Sequence, residues 1–307
     1  MIVIISPAKA MRLDEPARAA ARAAPRFAAL ADVLASQLAK ASTAGLARMM
    51  DLSPALAALN AGRYGGWAAQ PAVAAAHAMD GPAFKALSAR TLSDPASADE
   101  RVRILSGLYG LLRPSDAIKP YRLEMGSSLR VPGVPAGLAG GAASLYEHWG
   151  PTIAAALEDD LADAEKAAGA APGTGVLVNA ASQEYWKAVG GHLRPGTRVV
   201  TAVFPGPAVH AKAARGALAR FVAEGGLSVV GQLKGFEGGA GEWRFDEGSS
   251  SGDRLVFVRG APKKRGGAAS EASAPAKAKA RAGAATAAAA AAPPAKAAPA
   301  AKRTRRK

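Results

Sequence analysis

Short apolar runs alternate along this chain with segments in which apolar residues recur at helical spacing. The continuous runs predict strands buried on both faces, and the spaced segments predict amphipathic helices. The runs lie at residues 2–5, 101–112, 176–178 and 198–204, and the helical segments at residues 27–40, 145–168 and 209–223. A closing hairpin is expected over residues 243–257. The alternation favours one mixed α/β (α+β) core over residues 1–259, with a central mixed sheet.

The helical spacing is interrupted within residues 44–60. Leu46 and Met49 precede the break at residues 51–54, and the spacing resumes after it. Pro54 suits the first turn of a helix and Ser53 suits the N-cap position before it. This segment therefore predicts two short helices joined by a tight turn.

Residues 104–126 form the densest run of non-interchangeable side chains, ILSGLYGLLRPSDAIKPYRLEMG. An apolar element ends at Arg113-Pro114, after which Lys119 and Arg122 follow with Glu124 as an internal counter-charge. Because arginine forks match phosphate oxygens, these cations suit the wall of an anion-binding cleft that brings them together. The alternative is a strand, a tight corner and surface ion pairs.

Further candidate side chains follow the predicted strands, where α/β proteins hold ligands. Lys9 follows the first strand, and the strand at 176–178 ends at Asn179. The next helix is expected to be capped by Ser182. Its first turns carry Glu184, Tyr185 and Lys187, and the late helix carries Lys212 and Arg215.

Charge is concentrated at the end of the chain. The net charge of +15 includes twelve Lys and Arg residues, against the single acid Glu271, after residue 260. Residues 1–260 are thus only mildly basic. Residues 260–307 are rich in Ala, Lys and Pro and cannot form a core, which predicts a disordered basic tail.

Composition also narrows the chemistry. The 307 residues include no cysteine, so disulfides and thiolate sites are excluded, and four isolated histidines lack metal-ligand spacing. We expect no metal and no cofactor. Neither a signal peptide nor a spanning segment is indicated, so a cytoplasmic protein is expected.

The chain resembles the YaaA family of bacterial cytosolic proteins of the peroxide-stress response. The similarity rests on the 104–126 run and on four other stretches in the same order. These read MIVIISPAK, LARMMDLSPALAALNAGRY, LVNAASQEYWKAV, and HAKAARGALARF followed by LKGF and WRFDEGSSSGDRLVF. The resemblance covers residues 1 to about 259 and leaves the tail out. It implies a helix-hairpin-helix DNA-binding motif beside a positive cleft.

Residues 44–60 also resemble the helix-hairpin-helix of DNA repair proteins. Ser53 could present its N–H to a phosphate, and Arg48 and Arg63 could flank the phosphate path. Asp51 and Ser53 stand where that motif usually has glycine. An ordinary pair of antiparallel helices remains the alternative.

Three functions remain open. The leading hypothesis is a DNA-binding protein of the peroxide-stress response that holds duplex or branched DNA through phosphate contacts, in support of DNA repair. The alternative is an enzyme acting on a phosphorylated or nucleotide substrate at the strand-end cluster of Lys9, Arg113, Arg122, Glu124, Asn179 and Lys212. Iron sequestration has no carboxylate or histidine cluster to support it. Protein partners are not indicated.

Overall fold

The apolar runs become the strands of a seven-stranded sheet in a computed structural model, which describes residues 1–14, 20–129 and 143–260. The strands of this sheet are β1 (Ile2–Ile5), β3 (Val102–Ser106), β4 (Gly110–Leu112), β6 (Val176–Asn179), β7 (Arg198–Val203), β8 (Trp243–Phe245) and β9 (Arg254–Arg259). Their order is β4-β3-β1-β6-β7-β9-β8. A small antiparallel sheet pairs β2 (Val73–Ala74) with β5 (Ala117–Ile118).

The five inner strands run parallel and the two edge strands run antiparallel to their neighbours. β1 pairs with β3 on one side and β6 on the other, and β6, β7 and β9 continue in the same direction. All four side chains of β1 are fully buried. This burial explains its unbroken Ile-Val-Ile-Ile run, because central parallel strands are covered on both faces. The expected mixed sheet is confirmed.

The helices are short, apart from one on each side of β6 in the chain. They are α1 (Ala28–Ala39), α2 (Thr43–Met50), α3 (Pro54–Gly65), α4 (Ala75–Ala78), α5 (Pro82–Leu87), α6 (Pro95–Arg101), α7 (Leu145–Trp149), α8 (Thr152–Ala167), α9 (Gln183–Trp186) and α10 (Ala208–Gly225). Short 3₁₀ turns lie at Trp67–Ala69, Ala89–Thr91, Gly190–His192 and Val230–Gly235. None of the helices in the described ranges is long and apolar enough to cross a membrane.

The predicted strand at 101–112 is wrong, because the chain reverses direction within it. The Ser106 hydroxyl accepts hydrogen bonds from the N–H groups of Leu108 and Tyr109 and so stabilises a turn. Gly110 then takes a φ of +67°, and the Trp149 ring occupies the place of a side chain there. β3 and β4 are therefore a hairpin, and β4 delivers Arg113 to the opposite edge of the sheet.

The single helix predicted at 145–168 is also wrong. Gly150 has a φ of +43° and Pro151 follows it, so α7 ends before α8 begins. By contrast, the two helices predicted within 44–60 are confirmed as α2 and α3. Asp51 between them adopts the left-handed conformation with a φ of 50°.

Met1–Lys264 form one compact unit. The predicted disordered tail at 260–307 lies outside the described residues, apart from Gly260.

Helix α10 packs closely against α5 through a glycine. A Cβ atom on Gly216 would lie 1.8 Å from the carbonyl oxygen of Ala83, so only glycine permits this approach. The contact brings Lys212 and Arg215 to the chain segment that precedes α5.

We expect Gly216→Ala to destabilise the protein by about 1–3 kcal/mol, since the methyl group must displace the α5 backbone. The matched control is Gly62→Ala, at an exposed helical position where a Cβ would meet nothing within 4 Å. That change should stabilise by about 0.5–1 kcal/mol. Denaturant unfolding measures both. Equal stabilisation by the two substitutions would contradict the close approach of α10 and α5.

Candidate functional site

A crevice opens at the carboxyl ends of β1 and β6. The chain leaves β1 toward β3 and leaves β6 toward β7, which lie on opposite sides, so the two connections diverge here. Open α/β sheets hold ligands at such a switch point. The crevice floor is closed by Ser6 and Ser182: the Ser6 hydroxyl donates to the Ser182 hydroxyl at 3.1 Å and accepts the Ser182 N–H at 2.9 Å.

A cavity of about 330 Å³ occupies this crevice. Five separate parts of the chain form its walls. The lining comprises residues 5–10, 80–84 and 121–124, together with Ser182, Glu184, Tyr185, Lys212 and Arg215. The structure therefore brings together eight of the candidate residues: Lys9, Arg122, Glu124, Ser182, Glu184, Tyr185, Lys212 and Arg215.

Glu124 is held between two cations of the cavity. Its Oε2 lies 2.6 Å from the Lys9 Nζ, and its Oε1 accepts a hydrogen bond from the Arg122 guanidinium at 3.0 Å. The expected counter-charge role of Glu124 is thus present in the geometry. The negative charge of its carboxylate is therefore balanced by the Lys9 and Arg122 side chains.

Two arginines of the cavity have polar atoms without partners. The Nε atoms of Arg122 and Arg215 are buried and make no hydrogen bond within the described part of the chain. Burial lowers the pKa of Arg215. The Arg215 guanidinium therefore loses hydration and gains no counter-charge from the described residues in return.

The opposite wall is fixed by Glu184 and Tyr185. The Glu184 carboxylate accepts a hydrogen bond from the Gly126 N–H at 2.9 Å. The backbone carbonyl of Glu184 accepts one from the Tyr146 hydroxyl at 3.1 Å. Burial raises the pKa of Tyr185, so its phenol stays protonated at neutral pH. Lys187 lies outside the cavity, with its Nζ 4.6 Å from the centre of the Tyr146 ring.

Two of the strand-end predictions need correction. Ser182 occupies the N-cap position of α9, but its side chain makes no capping bond because its hydroxyl meets Ser6 instead. Asn179 is buried and its Oδ1 accepts the Ala181 N–H at 3.1 Å, which turns the chain after β6. Asn179 does not line the cavity.

The expected grouping of Arg113 with Arg122 is wrong. Because β4 is antiparallel, Arg113 emerges at the amino edge of the parallel strands, where its guanidinium lies 3.6 Å from Asp160. The same carboxylate binds Arg26 and Arg103, each at 2.6 Å. This cluster lines a separate cavity of about 270 Å³.

Lys119 is also set apart from the crevice. Its Nζ lies 5.0 Å from the centre of the Trp67 ring, and Trp67 follows the second helix of the two-helix element. Arg113, Lys119 and Arg122 therefore lie at three different sites: beside Asp160, over the Trp67 ring and at the cavity.

The turn of the two-helix element uses two of its N–H groups in internal hydrogen bonds. The N–H groups of Asp51 and Leu52 both donate to the carbonyl of Ala47. The Ser53 hydroxyl caps α3 by accepting the Leu56 N–H. The N–H groups of Asp51 and Leu52 are therefore not offered to a phosphate, whereas the predicted role of the Ser53 N–H is untouched by these bonds. The helix-hairpin-helix identity of residues 44–60 stays a prediction.

The side chains of this element differ in exposure. Arg48 is exposed, whereas Arg63 is half-buried and burial lowers its pKa. The element adjoins the cavity through one segment: the Tyr64 hydroxyl donates to the carbonyl of Arg122 at 2.9 Å, and the Ser128 N–H donates to the carbonyl of Met49 at 3.0 Å. Residues 121–129 thus form the wall between the helices and the cavity.

The wall made by residues 80–84 was not predicted from the sequence. Gly81 and Pro82 indicate only a break between helices, yet a Cβ on Gly81 would lie 3.1 Å from the Ala8 side chain. This close approach brings Asp80 and Phe84 to the residues that follow β1. A Gly-Pro pair before a short helix was the available signal.

The family model described as peroxide stress protein YaaA matches residues 1–248. The chain belongs to this family. Among its relatives, a UPF0246 protein of Ruegeria sp. (strain TM1040) is 40% identical over 276 residues, covering 85% of this chain and 100% of that protein. A UPF0246 protein of Aromatoleum aromaticum is 41% identical over 275 residues, covering 85% of this chain and 100% of that protein. A UPF0246 protein of Bordetella pertussis is 39% identical over 273 residues, covering 84% of this chain and 99% of that protein.

The cluster at the amino edge predicts a pH effect. Burial raises the pKa of Asp116, beside Arg113, to about 6. The folded state thus binds this proton more tightly than the unfolded state, and the contribution of Asp116 to stability is lost as the pH rises from about 4 to about 6. Asp116→Asn removes the titration while keeping an oxygen to accept the Arg113 N–H, now 2.8 Å from Asp116.

We therefore expect the stability of Asp116→Asn relative to the unsubstituted protein to increase between pH 4.5 and pH 7, by about 2 kcal/mol. Unfolding free energies of both proteins across this range provide the measurement. A difference that stays constant with pH would show that Asp116 titrates normally.

Proposed function

We propose that this member of the YaaA family acts in the peroxide-stress response by binding duplex or branched DNA through its phosphates, in support of DNA repair. Such contacts supply affinity with little dependence on base sequence. The observation that carries the proposal is the convergence of Lys9, Arg122, Lys212 and Arg215, from three distant chain segments, at one crevice.

The exposure of these cations supports contact with a large ligand. Lys9 and Lys212 are exposed at the cavity, and the Lys9 side chain is 62% accessible. A cavity of about 330 Å³ holds one small molecule, so a duplex would lie across its mouth. We expect Arg48, an exposed residue of the neighbouring two-helix element, to contribute a further phosphate contact.

An enzyme acting on a phosphorylated or nucleotide substrate is the second candidate. It is favoured by the enclosure of Glu124 and Glu184 with four cations in one cavity, since carboxylates beside bound phosphate can move protons. Turnover of a phosphorylated compound that is lost in Glu184→Gln, with DNA binding retained, would favour the enzyme.

The separation of Arg113 from Arg122 provides a matched pair for the DNA proposal. In a chain shortened to residues 1–260, Arg122→Ala should weaken binding to a duplex and reduce the slope of log affinity against log salt by about 1. Arg113→Ala removes the same charge at the opposite edge and should leave both quantities unchanged. Fluorescence anisotropy across a salt series measures them. Equal effects of the two substitutions on affinity and slope would show that the cleft is not the DNA-binding site.

The basic end of the chain should add affinity that depends steeply on salt. Its twelve cations are clustered, so we expect about half of them to contact phosphates at once. Comparison of the full chain with residues 1–260 should then show a slope steeper by roughly 4 to 6, at about 0.9 per phosphate neutralised. Superimposable slopes would mean that residues 261–307 do not contact DNA.

A further inference from the structure

Arg215 is the one arginine in the described ranges that combines a buried Nε lacking a hydrogen bond with the lack of an ion pair. It lies on α10 and faces the cavity at the carboxyl edge. Its Nε is buried without a partner, and no carboxylate of the described residues lies within ion-pair distance of it. Burial alone accounts for the lowering of its pKa.

Arg103 and Arg220, by contrast, are fully engaged. Arg103 binds Asp160 and donates to the carbonyls of Asp99 and Val102. Arg220, on the same helix as Arg215, binds Glu224 and also donates to Thr91 and to backbone carbonyls. The fold thus compensates arginine charge where the charge serves packing, and leaves Arg215 uncompensated.

The carboxylates around the cavity are already committed elsewhere. Glu124 is shared by Lys9 and Arg122, and Glu184 accepts the Gly126 N–H. Asp80 is bound by Arg12 at 3.2 Å and lies 3.6 Å from Lys85. Lys212, one helical turn before Arg215, has no ion pair among the residues the structure describes. The interior therefore lacks an anion next to Arg215 and Lys212.

We propose that the cavity binds the phosphate of a single nucleotide, with the Arg215 guanidinium and the Lys212 ammonium on the phosphate and the Arg122 guanidinium nearby. This inference rests on the proposed DNA-binding function, and deepens it: one nucleotide at a strand end would enter the cavity while the rest of the DNA lies outside. A free nucleoside monophosphate has the same chemistry.

Size and lining support a nucleotide over a bare anion. The volume of about 330 Å³ exceeds what a phosphate ion needs and is at the lower end for small-molecule sites. Beside the charged and hydroxyl side chains, the walls have an apolar part, formed by Ile5, Pro7, Pro82, Phe84 and Leu123. A ligand with one charged end and one flat, weakly polar end matches this division.

The test uses the full chain and titrates thymidine monophosphate, thymidine and inorganic phosphate by calorimetry. Thymidine monophosphate should bind, and thymidine should bind at least about tenfold more weakly, because charge-assisted hydrogen bonds to the phosphate are lost. Inorganic phosphate should bind more weakly than the nucleotide. Equal binding of thymidine and its monophosphate would overturn the proposal, and so would equal binding of phosphate and the nucleotide.

Arg215→Gln should weaken nucleotide binding by about tenfold or more, since charged hydrogen bonds are removed. Its control is Arg254→Gln, an exposed arginine at the start of β9, which should bind as the unsubstituted chain does. Without ligand, Arg215→Gln should melt at the same or a higher temperature, because it removes an uncompensated buried charge. A lower melting temperature with unchanged nucleotide affinity would identify a packing arginine and refute the site.

Lys212→Gln gives a second measurement at an exposed position that carries no folding risk, with Lys166→Gln as its control. A loss of nucleotide affinity confined to Lys212→Gln supports the site, and equal affinities of the two variants count against it.

The source of the nucleotide is distinguished with single-stranded oligonucleotides. If a strand end enters the cavity, a 5′-phosphorylated oligonucleotide should bind more tightly than its unphosphorylated form, and Arg215→Gln should abolish that difference. Nucleotide binding without duplex binding would refute the proposed function and leave this site standing. Duplex binding that is insensitive to Arg215→Gln, with no nucleotide binding, would refute the nucleotide site and leave the proposed function standing.

Discussion

The insertion of β1 between β3 and β6 is the constraint on which the rest of the structure depends. Its backbone pairs, in parallel, with strands about one hundred and about 175 residues further along the chain, and its four side chains are fully buried. Parallel pairing requires crossover connections, and those leaving β1 and β6 diverge. The crevice at Ser6 and Ser182 follows from this topology. The side chains that reach it come from segments that strand pairing alone would not bring together.

The two edges of the sheet treat positive charge differently. At the amino edge, Arg26, Arg103 and Arg113 surround the buried Asp160, so the cations are satisfied within the protein. At the carboxyl edge, Glu124 is in direct contact with two cavity cations, while Arg215 has no counter-charge among the described residues. Burial of a charge is tolerated when a partner or a ligand compensates it. The first edge serves the fold, and the second has the electrostatic character of a binding site.

Much of the fold could be read from local patterns. The strands at 2–5, 176–179 and 198–203 and the turn between α2 and α3 follow from apolar runs and capping residues, which act over a few positions. The errors arose where a local pattern was ambiguous. Residues 101–112 have the apolarity of one strand, and only the Trp149 ring packed over Gly110 reveals the reversal. That error moved Arg113 to the wrong edge.

The sequence by itself determined the class of fold, the family and most of the charged side chains that line the cavity, because strand-end positions and helix faces are local properties. Only the tertiary structure decided which cations share a site. It separated Arg113 and Lys119 from Arg122, added the wall at residues 80–84, and left Arg215 without a partner. Charge compensation depends on distances between residues far apart in the chain, and hydrophobic periodicity carries no record of those distances.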